Sequence, residues 1–530
     1  MANSPREIRI VLIALYQYNS FGVRVISDVL KIHNHKIYNI FFKQDKFDQM
    51  KLPTEHEKYL LVNLIKDINP DLIGISTRST FFPVARDITL RLKESIGVPV
   101  IWGGTHPTIC PEESIEFADM ICVGEGEESM VELAGKMSNR QEVAGIKGLW
   151  IKKGDFIEKN DCRPLLDNLD NLPLPSFENK DCYAIENSSL YKKDPYYNNS
   201  LTHYLFMSAR GCPFGCSFCS NSILKDIFKK KGPFVRQRSV GNVIKELVLA
   251  KKRFKKMRFI ETNDEVFCLN KEWIKEFSKQ YKHEIGLPLL CSTHPNFVDE
   301  EAICFLRNAG LRTISVGIQS GSERTRTQFY GRNTPDMELE KMAKIFKKYK
   351  IFPSYDLIFD NPLETPEDVK TTLHFMLSLP RPYRISMYSL QYYPKTKLTK
   401  WLLSEKLIFP SDIDGVSYKG FEHCHVKYNC LGEKKELTFL YKLFLLLSSV
   451  VNFSKNDPSK VISICPRWFI RFLEENKYFK KYHILTDWIL LLPKLTRGLS
   501  LLCQGDFPMI WRVMFRELPN NFKSRTIYKK

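Results

Sequence analysis

The sequence contains no long apolar run and no tract of low complexity. Its most apolar stretch, Leu437 to Phe453, has Lys442 near its middle and is shorter than the ~20 residues that a membrane-spanning helix needs. The first residues lead directly into an apolar strand, without the small-residue cleavage site that follows a secretory signal. We therefore expect a cytoplasmic protein with a buried or interfacial helix rather than a membrane anchor. Short-period repeats are missing too, which excludes a solenoid.

The chain does contain enough apolar material for more than one core. It has 530 residues, of which 43% are hydrophobic and 26% are charged, and this composition excludes a disordered or fibrous protein. The formal net charge of +19 favours anionic partners, such as phosphates, nucleic acid or acidic lipid, without choosing among them. The 14 cysteines are scattered through a large chain, so we interpret them as thiols or metal ligands rather than as a disulfide framework.

The first 150 residues alternate between apolar runs and amphipathic segments. Such alternation predicts right-handed crossovers between parallel strands, and therefore a doubly wound α/β sheet with helices on both faces. We expect one domain over residues 1–150. Its predicted strands are 8–15, 36–42, 71–76, 99–104 and 119–124, and its predicted helices are 22–31, 55–68, 84–95, 112–117 and 127–137.

The alternation fades in residues 151–200, where prolines and acidic residues predict an ordered linker. A second series of six strands then fills residues 201–410 and predicts a partial (β/α)6 barrel, with its active face at the carboxyl ends of the strands. Residues 411–530 are rich in Leu, Phe and Trp, and we expect a helical C-terminal domain there. The strands predicted in the second series are 203–208, 257–261, 288–293, 313–318, 354–359 and 385–391, and the helices are 240–253, 271–281, 300–308, 335–348 and 366–377.

Three closely spaced cysteines follow the first strand of the second series. Cys212, Cys216 and Cys219 lie in the segment RGCPFGCSFC. Three thiolates can hold three irons of a cubane cluster and leave the fourth iron open for a small ligand, whereas a structural zinc site normally needs four protein ligands. The alternative, a zinc knuckle or unrelated thiols, is disfavoured by the spacing and by the position at a strand end.

This segment resembles the radical SAM superfamily, whose pattern is Cys-x3-Cys-x2-Cys with an aromatic residue just before the last cysteine. Phe218 stands at that aromatic position. The resemblance covers about residues 200–400 and implies a 4Fe-4S cluster whose open iron binds S-adenosylmethionine. It further implies that one electron from the reduced cluster cleaves the carbon–sulfur bond and gives methionine and a 5′-deoxyadenosyl radical.

The same resemblance implies contacts to S-adenosylmethionine from other strand ends. Acidic residues follow the second strand, where the family places carboxylates near the cofactor's amino group, although an ordinary solvated loop is the alternative. The segment GIQSGSE after the fourth strand looks like the family's ribose-contacting segment. After the fifth strand we predict only a turn and a helix cap, with Thr365 as the N-cap. The predicted contact residues are Phe218, Asp264, Glu265, Gln319, Ser320, Ser322 and Glu323.

Glycine-bearing loops follow the fourth and fifth strands of the first series, but they lack the Gly-x-Gly-x-x-Gly spacing of a dinucleotide site. Together with the barrel they resemble the cobalamin-binding domain of class B radical SAM enzymes, a family that also contains the anaerobic magnesium-protoporphyrin ester cyclase. No Asp-x-His-x-x-Gly string is present, so we expect no histidine ligand below the cobalt, and we interpret His106 as a loop hydrogen bonder. The residues expected to contact cobalamin are Thr77, Ser79, Gly103, Gly104, His106, Gly124, Glu125 and Gly126.

The resemblance implies an enzyme with three cofactors, a 4Fe-4S cluster, S-adenosylmethionine and cobalamin. The expected reaction is hydrogen abstraction from an unactivated carbon, followed by transfer of a methyl group carried by cobalamin. Oxidative cyclisation or ring rearrangement is an alternative of the same class, and a basic RNA-binding protein with a structural metal knuckle is one of another class. The expected partners are an electron donor of the flavodoxin or ferredoxin type and a small-molecule or peptide substrate. Peripheral membrane contact is left open, and nucleic acid is disfavoured because the basic runs lie beside predicted helices.

Overall fold

The computed structural model describes residues 6–44, 51–178, 180–413, 435–448, 450–452, 459 and 461–475. The chain divides into two units. Unit 1 comprises Met1–Met257 together with Gln391–Cys424, and unit 2 comprises Arg258–Leu390 together with His425–Lys530. Among the described residues, no helix combines the length and the apolar character that a membrane crossing requires.

A nine-stranded sheet forms the first part of unit 1. The first strands of this sheet and the helices between them are, in chain order, β1 (Arg9–Leu15), α1 (Phe21–Ile32), β2 (Lys36–Phe42), α2 (Glu55–Ile68), β3 (Leu72–Ser76), α3 (Phe82–Ser95), β4 (Val100–Gly103), α4 (Thr105–Ile109), α5 (Pro111–Phe117), β5 (Met120–Cys122) and α6 (Glu127–Ser138). The central strands are parallel in the order β5-β4-β3-β1-β2, so the winding reverses between β1 and β3. A doubly wound sheet binds its ligand beyond the carboxyl ends of the strands at such a switch point.

Both faces of this sheet are covered because β1 alternates its side chains between two cores. Val11 and Ile13 pack in one core with residues of α2 and α3. Ile10 and Leu12 pack in the other core with residues of α1 and α6. Burying an aliphatic side chain of this size contributes roughly 1.5–3 kcal/mol, so the alternation stabilises helices on both faces. The doubly wound sheet predicted from the sequence is confirmed.

Residues 149–191 add four strands to the two edges of the sheet, where the sequence predicts a linker. β6 (Leu149–Lys153) pairs antiparallel with β5, and β7 (Phe156–Lys159) pairs antiparallel with β6. On the other edge, β8 (Cys182–Glu186) is parallel to β2, and β9 (Ser189–Tyr191) is antiparallel to β8. Strands of three to five residues are too short to show a periodic pattern, which is why the sequence did not indicate them.

The rest of unit 1 up to residue 257 carries the cysteine segment. Its elements are β10 (His203–Phe206), β11 (Ala209–Arg210), α7 (Ser220–Ile227), β12 (Arg236–Gln237) and α8 (Val240–Arg253). β11 and β12 form a short antiparallel pair in which Arg210 lies opposite Arg236. The cysteine segment therefore leaves this small ribbon and runs directly into α7.

Five parallel strands in chain order form the sheet of unit 2. They alternate with helices as β13 (Phe259–Thr262), α9 (Lys271–Glu284), β14 (Leu289–Thr293), α10 (Glu300–Ala309), β15 (Leu311–Gln319), α11 (Asp336–Lys348), β16 (Phe352–Phe359), α12 (Pro366–Ser378) and β17 (Arg384–Ser389). With β10 of unit 1 included, all six strands predicted for the second series are formed. Parallel strands joined by helices are the arrangement that the sequence predicts.

The chain after residue 390 contributes to both units. α13 (Lys397–Ser404) lies in unit 1. In unit 2, α14 (Lys435–Leu447) packs against α12, and α15 (Arg467–Glu475) packs against α14. Between these two helices in the sequence, β18 (Val450–Asn452) and β19 (Val461–Ser463) form a short antiparallel pair. Much of the expected C-terminal domain, including residues 414–434 and 476–530, lies outside the described residues.

Candidate cofactor-binding site

The three cysteines of the RGCPFGCSFC segment lie on one loop between β11 and α7. Cys216 is buried and the other two are partly exposed, and none of the three is in a disulfide. The amide of Cys219 donates to the carbonyl of Cys216 at 3.1 Å, so the last two cysteines share one tight turn. Thiolates are the protein ligands of iron–sulfur clusters, and three on a single loop fit a cluster that keeps one iron open.

α7 begins directly after the last cysteine of this loop. Cys219 is its N-cap residue, and both the amide and the hydroxyl of Ser222 donate to the Cys219 carbonyl, at 3.1 and 2.7 Å. Negative charge at a helix N-terminus is stabilised by roughly 0.3–1 kcal/mol, so this position favours the thiolate of Cys219. Lys225 of the same helix donates to the carbonyl of Pro213 at 2.8 Å, which holds the loop against the helix.

Gly211 allows the closest backbone approach in the loop. Its φ is +88°, and a Cβ there would lie 2.1 Å from the carbonyl oxygen of Phe234, so a larger residue would displace the neighbouring chain. Gly215 instead faces open space. On the far side, the amide of Leu398 donates to the Ser217 carbonyl at 2.9 Å. The loop is thus held from both sides, and the backbone has space beside Gly215.

Two arginines tie the cysteine loop to the loop that follows β5. Arg210 donates from Nη1 to Glu125 Oε1 at 2.9 Å and from Nη2 to Glu127 Oε1 at 2.6 Å. Arg236 donates to both oxygens of Glu125, at 2.8 and 3.0 Å. Burial would raise the pKa of Glu125, but the hydrogen bond from Arg236 and the charges of both arginines hold it below its usual value. Charge-assisted pairs of this kind fix geometry as well as contributing energy.

The carboxylate of Glu125 is thus bound within the protein, and its contact with cobalamin stays a prediction. Its Oε2 also accepts the amide of Leu166 at 2.9 Å, so both carboxylate oxygens are occupied. The sequence analysis expected Glu125 among the cobalamin contacts and missed Arg210 and Arg236. No local signal exists for these partners, because they lie 85 and 111 positions away along the chain.

The loops after β3 and β4 bring five expected cobalamin contacts together at the switch-point edge. The amide of Thr77 donates to the Gly103 carbonyl at 2.9 Å, and the amide of His106 donates to the Thr77 carbonyl at 3.3 Å. Gly104 has φ +104°, and a Cβ there would lie 2.7 Å from the Thr77 carbonyl oxygen. Ser79 Oγ lies 3.1 Å from Nδ1 of His106. His106 is thus placed as a loop hydrogen bonder.

The glycines after β5 allow close packing of protein against this edge. Gly124 has φ +105°, and a Cβ there would lie 2.8 Å from Cys162 Sγ and 3.2 Å from the ring of Phe228. A Cβ at Gly126 would lie 3.1 Å from the side chain of Ile26. Contact of Gly124 and Gly126 with cobalamin stays a prediction.

In unit 2, two residues expected to contact S-adenosylmethionine belong to a buried polar network. Ser320 Oγ lies 2.9 Å from Thr372 Oγ1, and Ser322 Oγ donates to Asp368 Oδ1 at 2.8 Å. Thr372 and Asp368 belong to α12, which begins with the predicted N-cap Thr365 in a capping box with Asp368. Ser320 and Ser322 therefore hold the loop after β15 against α12.

The other expected contacts of unit 2 lie after β13 and β15. Asp264 is buried, whereas Glu265 and Glu323 are exposed. Gln319 ends β15 with φ +72°. Its side-chain amide nitrogen packs against Gly317, where a Cβ would lie 2.4 Å from that nitrogen. Polar groups are therefore present after both strands, and their contact with S-adenosylmethionine stays a prediction.

Two family models match the chain, and they match different parts of it. The B12 binding domain matches residues 10–134, which run from β1 into α6. The radical SAM superfamily matches residues 207–376, which contain the three-cysteine loop. The set of three thiols and the doubly wound sheet fit the groups that these families bind.

Two named relatives match more than half of this chain. An uncharacterized methyltransferase of Pyrococcus horikoshii is 29% identical over 353 residues, which are 66% of this chain and 72% of that protein. The anaerobic magnesium-protoporphyrin IX monomethyl ester cyclase of Cereibacter sphaeroides is 27% identical over 340 residues, which are 61% of this chain and 52% of the cyclase. This chain thus matches only about half the length of the cyclase.

Solved structures share the fold at low sequence identity. TsrM from Kitasatospora setae, a radical S-adenosylmethionine methyltransferase with cobalamin and a 4Fe-4S cluster bound, is 18% identical with a TM-score of 0.61, covering 75% of this chain and 78% of TsrM. OxsB, with aqua-cobalamin and S-adenosylmethionine bound, is 16% identical with a TM-score of 0.61, covering 98% of this chain and 81% of OxsB. The likeness therefore concerns the arrangement of elements.

A three-thiol loop at the start of a βα series, matched by the superfamily, makes this protein a radical SAM enzyme. The preceding B12 binding domain then narrows the assignment. The chain belongs to the cobalamin-dependent radical SAM enzymes, whose cofactors are a 4Fe-4S cluster, S-adenosylmethionine and cobalamin. Both matches favour the enzyme over the alternative of an RNA-binding protein with a structural metal knuckle.

Proposed function

We propose that this enzyme transfers a methyl group to an unactivated carbon of a small molecule or peptide. The observation that carries the proposal is the connection between its two cofactor loops within unit 1. Arg210 directly precedes the cysteine loop, and its guanidinium binds Glu125 and Glu127 of the loop after β5 at 2.9 and 2.6 Å. A cluster and a corrinoid that act on the same substrate need such a fixed separation.

The residues of the two loops have separate tasks in this proposal. Cys212, Cys216 and Cys219 bind three irons, and the N-terminus of α7 stabilises the negative charge of the last thiolate. The loops after β3 and β4 hold the corrinoid against the sheet edge through Thr77 and Gly104. When bound, the 4Fe-4S cluster supplies the electron that cleaves S-adenosylmethionine, and cobalamin supplies the methyl carrier. A flavodoxin- or ferredoxin-type protein is the proposed reductant.

Named relatives support methyl transfer. Besides the protein of Pyrococcus horikoshii, the bacteriochlorophyllide d C-8(2)-methyltransferase of Chlorobaculum tepidum is 24% identical over 311 residues, which are 58% of this chain and 62% of that enzyme. Both are named as methyltransferases. We propose methyl transfer for this chain by analogy with these names.

Oxidative ring closure is the second candidate, and the 27% identity to the cyclase of Cereibacter sphaeroides favours it. The two reactions differ in the mass of the product. Methylation adds one methylene unit to the substrate, whereas oxidative closure removes hydrogen. Mass spectrometry of the product therefore decides between them once a substrate is found.

The first test needs no substrate. The full chain is reconstituted without oxygen with iron, sulfide and cobalamin, then given S-adenosylmethionine and dithionite, and both nucleoside products are measured. We expect 5′-deoxyadenosine from reductive cleavage and S-adenosylhomocysteine from methylation of the corrinoid. Cys216→Ala should abolish 5′-deoxyadenosine, whereas Cys304→Ala, a partly exposed cysteine of α10, should leave it unchanged.

The two products test different parts of the proposal. If the reconstituted protein forms 5′-deoxyadenosine but no S-adenosylhomocysteine while it retains corrinoid, methyl transfer is wrong and ring closure is favoured. If Cys216→Ala still forms 5′-deoxyadenosine, the assignment of the cluster loop is wrong.

A further inference from the structure

His106, Cys110 and Glu113 form a cluster of metal-ligating side chains that contains none of the three cysteines of the RGCPFGCSFC loop. One ligand atom from each residue lies within 4.8 Å of the other two. The residues are four and three positions apart across α4 and α5, and the amide of Cys110 donates to the His106 carbonyl at 2.7 Å. His106 lies on α4, Glu113 lies on α5, and Cys110 joins the two helices, so the backbone itself brings the three groups together.

The imidazole of His106 is already oriented for such a role. Its Nδ1 lies 3.1 Å from Ser79 Oγ. Its Nε2 is buried and makes no hydrogen bond within the described residues, and it lies 3.5 Å from Glu113 Oε2. Metal-bound histidines commonly hold their other ring nitrogen on an oxygen of a neighbouring side chain, which fixes the tautomer and the ring plane. Ser79 provides this second contact, and Nε2 is the nitrogen left for an ion.

We propose that His106 Nε2, Cys110 Sγ and a carboxylate oxygen of Glu113 bind one divalent ion of the zinc class. Tetrahedral zinc, with bonds of ~2.0 Å to nitrogen and ~2.3 Å to sulfur, separates its ligand atoms by roughly 3.3–3.6 Å. The cluster therefore needs to close by up to about 1.5 Å to reach that geometry. A thiolate in the ligand set selects zinc over magnesium or calcium, and three protein ligands leave one position open for water.

The charges of the ligands balance the ion. Thiolate and carboxylate together carry the two negative charges that a divalent cation needs, and the Cys110 thiol releases its proton when the ion binds. Lys395 opposes a nearby cation, but its ammonium is half-exposed and lies 3.5 Å from Glu112 Oε2. The nearby carboxylate of Glu112 offsets that charge.

Burial and access also suit a bound ion. His106 and Cys110 are 2% and 5% exposed, whereas the side chain of Glu113 is 40% exposed. The two inner ligands are thus dry, and the outer one gives the ion a path from solvent. Bound zinc would join α4 to α5 directly after the Gly104 turn. The proposed ion keeps one position open for water, and its binding goes beyond the proposed methyl transfer and does not depend on it.

The test measures zinc in the full-length holoenzyme. The chain is loaded with iron, sulfide and cobalamin, given one equivalent of zinc, passed through gel filtration and analysed for zinc, iron and cobalt. X-ray absorption at the zinc edge then reports the ligands without interference from iron or cobalt. We expect one zinc per chain with one sulfur neighbour. Cys110→Ser should remove the sulfur neighbour and weaken zinc binding at least ~10-fold. Losing a residue that only hydrogen-bonds to a metal ligand already weakens binding by about that factor.

Matched variants separate this site from the cysteine loop. Glu113→Gln should also weaken zinc binding, whereas Glu116→Gln, an exposed carboxylate on the same helix, should not. The triple variant Cys212→Ala, Cys216→Ala, Cys219→Ala lacks the competing thiols and should still hold one zinc. The inference is overturned if the loaded enzyme retains no zinc, if the sulfur neighbour persists in Cys110→Ser, or if zinc is lost in the triple variant. Near-ultraviolet circular dichroism identifies folded variants, and Glu113→Gln decides if Cys110→Ser does not fold.

Discussion

Glu125 is the residue at which the loop after β5 meets the cysteine loop. Its two oxygens accept hydrogen bonds from Arg210 and Arg236, and its side chain is 17% exposed. We predict that Glu125→Gln lowers the free energy of unfolding by about 3 kcal/mol, the lower end for breaking a buried ion pair. The reason is that two arginines lose the anion that they share. Urea denaturation of the full chain measures this change.

The control for Glu125 is Glu128→Gln, which removes an exposed pair with Arg163 and should cost less than ~1 kcal/mol. The pH dependence adds a second check. Because the folded pKa of Glu125 lies below its ordinary value of 4.5, its contribution is full above that pH and is lost as the pH falls through the folded pKa. The difference between wild type and Glu125→Gln should therefore shrink in acid. Equal losses in the two variants at neutral pH would contradict the role given to Glu125.

Glu364 shows the opposite behaviour in unit 2. Burial raises its pKa to about 8, with Asp368 and Asp360 adding to the rise, while hydrogen bonds from Thr325 and Ser320 oppose it. The folded state thus binds a proton that the unfolded state releases above pH 4.5. Stability from this group is full below that pH and falls by roughly 1.4 kcal/mol per unit as the pH rises towards about 8.

We predict that Glu364→Gln removes this loss of stability between about pH 5 and about pH 8. Urea denaturation across that range measures the slope. Glu367→Gln is the matched control, because Glu367 is a strongly exposed carboxylate at the start of α12, and it should keep the slope of the wild type. An unchanged slope in Glu364→Gln would show that this carboxyl is ionised in the folded protein.

At the scale of elements, the turn between β4 and α4 depends on one glycine. Gly104 has φ +104° and lies against the Thr77 backbone, so a Cβ there would meet the Thr77 oxygen at 2.7 Å. We predict that Gly104→Ala costs about 1–3 kcal/mol, as backbone strain of this kind does, and lowers the amount of cobalamin retained. Thermal denaturation and cobalt content measure the two effects.

Gly135→Ala provides the contrast for Gly104→Ala. Gly135 lies within α6, and a Cβ added there would meet nothing within 4 Å, so replacing this helical glycine by alanine should add roughly 0.5–1 kcal/mol. If both substitutions change stability in the same direction, strain at the β4 turn is not the cause of the loss.

The elements that the sequence predicted are those with strong periodicity. β2, α2 and α8 were predicted at the residues where they form, because each alternates or repeats over at least seven residues and is bounded by polar segments. α4 was missed because five residues are too few to show a helical period. β6 to β9 were missed for the same reason, and the prolines between them indicated a linker instead.

At the site, the sequence predicted the cysteines and the loops but not the contacts between them. The Cys-x3-Cys-x2-Cys spacing is local, so it can be recognised in a few residues. The network of Glu125 with Arg210 and Arg236 joins three distant segments and has no local pattern. Ser320, an expected contact of S-adenosylmethionine, hydrogen-bonds to Thr372 of α12, because a small hydroxyl after a strand serves packing as readily as binding. Its contact with the ligand stays a prediction.

At the scale of the whole molecule, the B12-binding region and the cysteine loop of unit 1 are stabilised by different elements. Residues 10–134 supply most of two cores, one on each face of the sheet. The cysteine loop depends instead on β11, β12 and α7. The loop after β5 and the cysteine loop are joined by ion pairs of Arg210 and Arg236 with Glu125 and Glu127. No cysteine takes part in these ion pairs, so replacing the three cysteines leaves them intact.

We therefore predict that the two cofactors load independently. The triple variant Cys212→Ala, Cys216→Ala, Cys219→Ala should lose its iron and all 5′-deoxyadenosine formation while retaining cobalamin at the level of the wild type. The reason is that the sheet edge formed by β3 and β4 contains none of these thiols. Iron and cobalt analysis after gel filtration measures both contents, and Cys304→Ala controls for the loss of a partly exposed thiol. Loss of cobalt together with iron, in a triple variant that keeps the near-ultraviolet circular dichroism of the wild type, would show instead that the cluster itself completes the corrinoid site.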